Sequence, residues 1–374
     1  MLAKVNDSLS RNPLLSLLRA PECEGAFTAR EWEHIIATGR EANLLGRLRW
    51  LLDNANTLGQ IAEGPRRHLD SAWCSAETQR RALYREIAYL GDILRPATQQ
   101  AVLLKGAAYT MAALPPAHGR QFSDIDILVP SRNLDKVEHD LNGAGWLGSH
   151  HDAYDQRYYR EWMHELPPLH HPRRGSTLDI HHTILPETAR FQPDASLLLA
   201  QAEELSGQPG IYVLAPTDMV IHSATHLFLE GEIPHGLRDL LDLDALLRFL
   251  GADERFWDKL PERARELDLG LPVYLAVHYC QRLLSTPVPH EALTKLADTA
   301  PPLLRLRLLD ACYERVLLPS VVDNQGHLGR NMALWALFIR GHWLRMPVPL
   351  LLRHIAQKAL IVPIMGDAPR ARDR

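Results

Sequence analysis

Apolar residues along this chain fall into two rhythms, a helical one towards both ends and a strand-like one between them. Thr28 followed by Glu31 is a capping-box pair, and it precedes an amphipathic run from Trp32 to Leu52. A second run, Ala76 to Leu94, sets Leu83, Ile87, Leu90 and Ile93 at the spacing of one helix face. Residues 26–95 are therefore predicted helical. The texture changes at Ala101-Val102-Leu103-Leu104, an apolar run of strand length that leads directly into Lys105-Gly106 and a helix-like stretch to Leu114. Pro115-Pro116 stops that stretch. Asp124-Ile125-Asp126-Ile127-Leu128-Val129 alternates acidic and apolar residues before an all-apolar end, which predicts a strand exposed at its start and buried at its end. Ser131 is placed to cap a helix running to about Asn142, ended by Gly143 and Gly145.

The stretch from Trp146 to His182 is rich in His, Tyr and Pro and predicts several strands, the last being Thr177 to His181. Helical text returns at Ala195. Thr217 is expected to open a helix through Leu229, and Leu240, Leu243, Leu247 and Leu250 form an apolar stripe within 237–250. Helical patterns continue through 301–318 and 331–362, and Gly366 to Arg374 is expected to be a disordered tail. The predicted fold class is α+β. A mixed-sheet core at 96–190 is flanked by an N-terminal helical region at 1–95 and a C-terminal helical domain at 191–365, with the tail at 366–374.

Composition narrows the functional classes. The hydrophobic fraction of 46% and charged fraction of 23% are those of an ordinary soluble globular protein. A formal net charge of −4 supplies no global basic field, which weakly disfavours a nucleic-acid partner. Cys23, Cys74, Cys280 and Cys312 show no paired spacing, so neither a disulfide framework nor a cysteine zinc site is expected, and a cytoplasmic location fits best. The run Met1 to Leu18 is broken by Lys4, Asp7, Arg11 and Pro13 and lacks the apolar core of a signal peptide. No transmembrane segment is expected, because no uncharged apolar run approaches the roughly 20 residues a bilayer needs. Neither a Gly-x-Gly-x-x-Gly nor a Walker pattern is present, which argues against a P-loop enzyme or a Rossmann dehydrogenase.

The chemistry concentrates on three acidic residues. Residues i and i+2 of a strand share a face, so Asp124 and Asp126 project side by side while Ile125 and Ile127 enter the core. Adjacent carboxylates repel unless a cation lies between them, and Mg²⁺ is the usual solution, with Mn²⁺ an alternative. Asp179, between Leu178 and Ile180, occupies a comparable place. If the two strands are neighbours, three carboxylates converge on one or two metal ions, as in-line displacement at phosphorus requires. Lys105-Gly106 follows a strand and opens a helix, where backbone N–H groups and a lysine can hold phosphate oxygens. Arg120 and Ser123 lie just before the pair, and His181 shares a strand face with Asp179, within reach of a phosphate or a metal-bound water. The contrary reading makes Asp124 and Asp126 the solvated half of an edge strand and His181 a structural histidine.

The run Leu103-Leu104-Lys105-Gly106, then Arg120, then Ser123 to Val129, then Leu178-Asp179-Ile180-His181 resembles the uncharacterised bacterial nucleotidyltransferases of the DNA polymerase β superfamily. The resemblance covers about 95–185 closely and the following helical region more loosely. It implies a minimal nucleotidyltransferase mixed sheet that binds a nucleoside triphosphate with Mg²⁺ and transfers a nucleoside monophosphate to a hydroxyl, on a protein side chain or a small molecule. Asp124 and Asp126 become metal ligands, and Asp179 the third ligand or the base that deprotonates the acceptor. Gly106 sits in the turn that approaches the triphosphate, and Pro115 to Gly119 is a loop over the nucleotide. Better-known members of the superfamily carry Gly-Ser at that turn. Lys-Gly stands here, so a phosphate-binding serine hydroxyl is missing and Lys105 substitutes by charge. That departure motivates an alternative, a catalytically inactive module or antitoxin-like partner protein.

Three further features carry weaker expectations. His222 and His226 have a metal-ligand spacing, but without an evident third ligand a packed or surface role is favoured. Arg238 and Asp242, four apart, are expected to pair with each other. The basic and apolar stretch Arg340 to His354 is read as packing at a domain edge rather than as a membrane-surface helix.

Overall fold

The computed structural model describes residues 12–22, 27–148, 163–318 and 327–347. The expectations for Cys23, for the strands within 149–162, for residues 348–362 and for the 366–374 tail lie outside the described residues. Helices α1 (Pro13–Arg19), α2 (Ala29–Glu41) and α3 (Leu45–Asn54) precede the long α4 (Glu63–Leu94). The capping box forms as predicted. Thr28 Oγ1 accepts from the Glu31 N–H, and the Glu31 carboxylate accepts from the Thr28 N–H. The single run expected to reach Leu52 breaks at Asn43, whose φ of +57° turns the chain between α2 and α3.

The middle of the chain builds a seven-stranded sheet in the order β3-β4-β5-β2-β1-β7-β6. Its strands are β1 (Ala101–Leu103), β2 (Ile125–Leu128), β3 (Leu147–Gly148), β4 (Leu169–His171), β5 (Ser176–His181), β6 (Glu203–Glu204) and β7 (Ile211–Val213). β1 is buried along its whole length, which explains its unbroken apolar text. α5 (Lys105–Met111) follows it, and the chain returns as β2, antiparallel to β1. β2 also pairs with β5 in parallel, so it is an interior strand and not the edge of the contrary reading.

The helix after β2 begins later than expected. Ser131 opens a 3₁₀ turn, and α6 spans Leu134–Gly143 without a side-chain cap. Asn133 donates its Nδ2 to the Ala97 carbonyl at 2.9 Å, which ties this connection to the end of α4.

α7 (Ala195–Gln201) leads to the β6–β7 hairpin and then to a helical layer. That layer comprises α8 (Pro216–Leu229), α9 (Gly236–Leu250), α10 (Glu254–Glu266), α11 (Gly270–Leu284), α12 (His290–Leu296), α13 (Leu303–Val316) and α14 (His327–Arg345). α8 starts at Pro216, one residue before the expected Thr217, because proline at the first helical position sacrifices no hydrogen bond. Its Asp218 is fully buried and receives two bonds of 2.8 Å from Arg263 of α10. One apolar core runs from Leu14 to Leu344 and joins both helical flanks to the sheet. The fold is α+β with helical flanks, as the sequence predicts. Among the described residues no helix is long and apolar enough to cross a membrane.

Candidate functional site

The parallel register of β2 and β5 sets Asp126 beside Asp179 and Leu128 beside His181. Asp124 lies two residues before Asp126, at the entry to the strand. All three carboxylates line one cavity of about 220 Å³, whose other walls come from Lys105, from Met163 to Glu165, and from α8. Five carboxylates and two cationic side chains face this space.

Each acid has a different environment. Burial raises the Asp126 carboxyl, but two cations outweigh it and hold it well below the usual carboxylate range. Lys105 Nζ donates to Asp126 Oδ1 at 3.3 Å, and His181 Nε2 approaches the same oxygen at 3.1 Å. Burial, followed by the charges of Asp126, Asp124 and Glu165, pushes Asp179 up to about 7. Asp179 Oδ1 is buried and has no hydrogen-bond partner. Asp124 is also raised, by burial and then by Asp126. Burial alone would lower Lys105 and His181, yet the surrounding carboxylates raise both.

A second cavity, of about 330 Å³, opens on the other side of Lys105 and shares Asp124 and Asp126 with the first. Ser123 lines it beside Asp124, and Arg120 and Arg238 contribute positive charge. Arg120 is buried and donates Nε to Asp242 at 2.7 Å. Any Cβ on Gly106 would overlap Arg120 Nη1, so the glycine makes room for this guanidinium against the helix backbone. Lys105 adopts a φ of +45°, a left-handed conformation that a lysine accepts at a cost of about 1–2 kcal/mol.

All eight residues singled out in the sequence therefore line one or both of these adjoining cavities: Lys105, Gly106, Arg120, Ser123, Asp124, Asp126, Asp179 and His181. Two lesser expectations are corrected. Arg238 does not pair with Asp242; it chelates its neighbour Asp239 at 2.8–2.9 Å, while Asp242 belongs to Arg120. Pro115 to Gly119 lines neither cavity. That loop is held on α3, where the Arg47 guanidinium donates to the Pro115 and His118 carbonyls and Gly46 meets Gly119 backbone to backbone. Its positional effect is to deliver Arg120. His222 is buried and His226 half-buried, and both face the acidic cavity from α8, where burial, then Lys105, pushes His222 down to about 3.

Sequence reasoning missed His164, Glu165, Glu230 and Arg345. The Glu165 backbone bridges His181 in antiparallel fashion, and the His182 N–H donates to the His164 carbonyl at 3.0 Å, so this short segment closes the cavity beside β5. The cluster of histidines in 146–182 was the available signal, but its spacing does not reveal which of them turn inward.

The fold is thus α+β, with acidic residues at matched positions of two interior parallel strands. The chain belongs to the uncharacterised nucleotidyltransferase family, whose model matches residues 28–285. No curated protein and no solved structure matches it. Family membership supports nucleotidyl transfer as the general activity and a nucleoside triphosphate as substrate.

Proposed function

We propose that this chain transfers a nucleoside monophosphate from a nucleoside triphosphate to a hydroxyl acceptor, a protein side chain or a small molecule, with Mg²⁺ or Mn²⁺ held by Asp124, Asp126 and Asp179. The observation that carries the reading is the pairing of Asp126 with Asp179 across β2 and β5, together with the unpartnered, buried Asp179 Oδ1. A buried carboxylate oxygen without a donor is costly. A hard divalent cation is the ligand whose chemistry suits an all-oxygen donor set. The bound ion would neutralise the charge that develops on the phosphates.

The chain's own groups divide the remaining work. Lys105, Arg120, Arg238 and Ser123 surround the larger cavity and suit a triphosphate. The acceptor oxygen attacks the α-phosphorus, the bond to the bridging oxygen breaks, and pyrophosphate leaves. Asp179 serves either as the third ligand to the ion or as the base that receives the acceptor proton. The test is to incubate purified protein with Mg²⁺ and labelled ATP or CTP, and to compare Asp124→Asn. Metal-dependent nucleotide binding that survives unchanged in that variant sinks the proposal.

One observation favours the alternative, an inactive fold used as a binding module or antitoxin-like partner. Asp126 Oδ1 is already engaged by both Lys105 and His181, an arrangement that neutralises it without any metal. Calorimetry separates the two readings. Absence of nucleotide and Mg²⁺ binding at millimolar concentration supports the module.

A further inference from the structure

We propose that His164, Glu165 and His181 form a distinct site for a divalent transition ion, of which Zn²⁺ best matches the donor set, next to the three aspartates. The two histidines and the glutamate each offer one donor atom, and those atoms lie within 4.8 Å of one another. Glu165 Oε2 stands 3.3 Å from His181 Nδ1 and 4.0 Å from His164 Nε2. A tetrahedral ion with bonds of 2.0–2.1 Å separates its donors by roughly 3.4 Å. Of the three donor pairs, Glu165–His181 is already at that separation, Glu165–His164 needs an adjustment of about half an ångström, and His164–His181, within 4.8 Å, closes by the same side-chain movement.

The surroundings of His181 are those of a metal ligand. Its Nε2 points at the Asp126 carboxylate at 3.1 Å, which leaves Nδ1 directed towards Glu165. A carboxylate on the far nitrogen is the usual device for fixing the tautomer of a metal-binding histidine and raising its basicity. His164 is 6% exposed, and its Nε2 faces Glu165 Oε2 at 4.0 Å, too far for a hydrogen bond. The backbone is also restrained. Glu165 and His181 are bridge partners, and the His182 and Leu166 N–H groups tie the segment to β5. Two cations, Lys105 and Arg345, also face the cavity, but five carboxylates outnumber them, so the field favours another cation. Three protein ligands leave a fourth position open to the cavity, the pattern of a reactive rather than a purely structural ion.

This site does not depend on nucleotidyl transfer, since its donors are not the aspartates of that reading. The experiment is a Co²⁺ titration of the chelator-treated full chain, followed by visible absorption and competition with Zn²⁺. The expected result is one equivalent of Co²⁺ with the d–d bands of four-coordination, displaced by one equivalent of Zn²⁺. His164→Ala should abolish the bands, and Asp179→Asn should keep them. Asp126→Asn should weaken the affinity about 10–100-fold through His181. Glu165→Gln, which conserves shape, covers the case in which the histidine variant fails to fold. Absence of the bands in the native chain, or their persistence in both His164→Ala and Glu165→Gln, overturns the proposal. Loss of the bands in Asp179→Asn with retention in Glu165→Gln also overturns it, because the ion would then lie on the aspartates.

Discussion

Replacing Asp179 by Asn should stabilise the metal-free protein at pH 8 while removing its stabilisation by the Mg²⁺ or Mn²⁺ proposed to sit on the aspartates. The folded state raises this carboxyl from 3.8 to about 7, through burial and then the charges of Asp126 and Asp124. A raised acid means that the folded chain holds the proton more tightly than the unfolded one. Folding stability therefore falls as pH rises from about 4 to about 7, and the whole penalty is present above that. At about 1.4 kcal/mol per unit the upper bound is about 4 kcal/mol. Asp179 retains partial solvent access, and halving the figure for screening gives about 2 kcal/mol at pH 8. Asn cannot ionise, so in chelator the variant should gain about 2 kcal/mol at pH 8 and less than half of that at pH 5. Urea denaturation at the two pH values measures this difference. Mn²⁺ at a hundred times its dissociation constant should stabilise the native chain by about 2.7 kcal/mol and leave the variant unmoved. A variant no more stable than the native protein at pH 8, or one stabilised equally by Mn²⁺, refutes the assignment of Asp179 as a buried, uncompensated ligand.

Other consequences follow from single contacts. Arg263→Ala leaves the fully buried Asp218 carboxylate without its two 2.8 Å bonds, and chemical denaturation should show a loss of about 3–5 kcal/mol. Arg120→Ala strands Asp242 in the same manner; a loss of about 3 kcal/mol is expected, and calorimetry should show weakened nucleotide binding, whereas Asp242→Asn should retain more of both. Gly106→Ala forces the Arg120 guanidinium off the helix start, so nucleotide affinity should fall in an equilibrium binding assay while stability changes by only about 1 kcal/mol. Lys105→Gly relieves the φ of +45° but removes the ammonium from Asp126, so it should titrate Asp126 at higher pH, visible as an upward shift of that carboxyl in NMR.

Much of this arrangement was legible because it is local. The alternation at Asp124 to Val129 and at Leu178 to His181 follows from strand geometry, and the Thr28–Glu31 box from capping chemistry. Whether the two acidic strands are neighbours was not local, and only the sheet order answers it. The failures have a common form. Arg238 and Asp242 have the spacing of a helical pair, yet tertiary contact gives each a different partner. Ser131 has the chemistry of a cap, but the chain takes a 3₁₀ turn there, and Asn133 is drawn to the Ala97 carbonyl. His222 and His226 are packed on α8, but that they face the carboxylates of β2 and β5 was not readable, because those strands are tens of residues away in sequence.

The Lys105-Gly106 turn departs from the Gly-Ser found in the better-known nucleotidyltransferases that the sequence resembles. The structure gives it a different logic. A glycine at position 105 would accept φ +45° without strain, but the chain places a lysine there and accepts a cost of about 1–2 kcal/mol. The return is an ammonium 3.3 Å from Asp126, at the boundary shared by both cavities. Strain of that kind persists where the surroundings over-determine it, and it clusters at functional sites. Lys105 also faces Glu230 and Asp124, so its charge is shared among carboxylates of both cavities. An incoming cation on the aspartates would displace that ammonium from Asp126 and free it towards the larger cavity, where a triphosphate needs it. On the proposed reading, the missing serine hydroxyl would be replaced by a charge that becomes available when a metal binds.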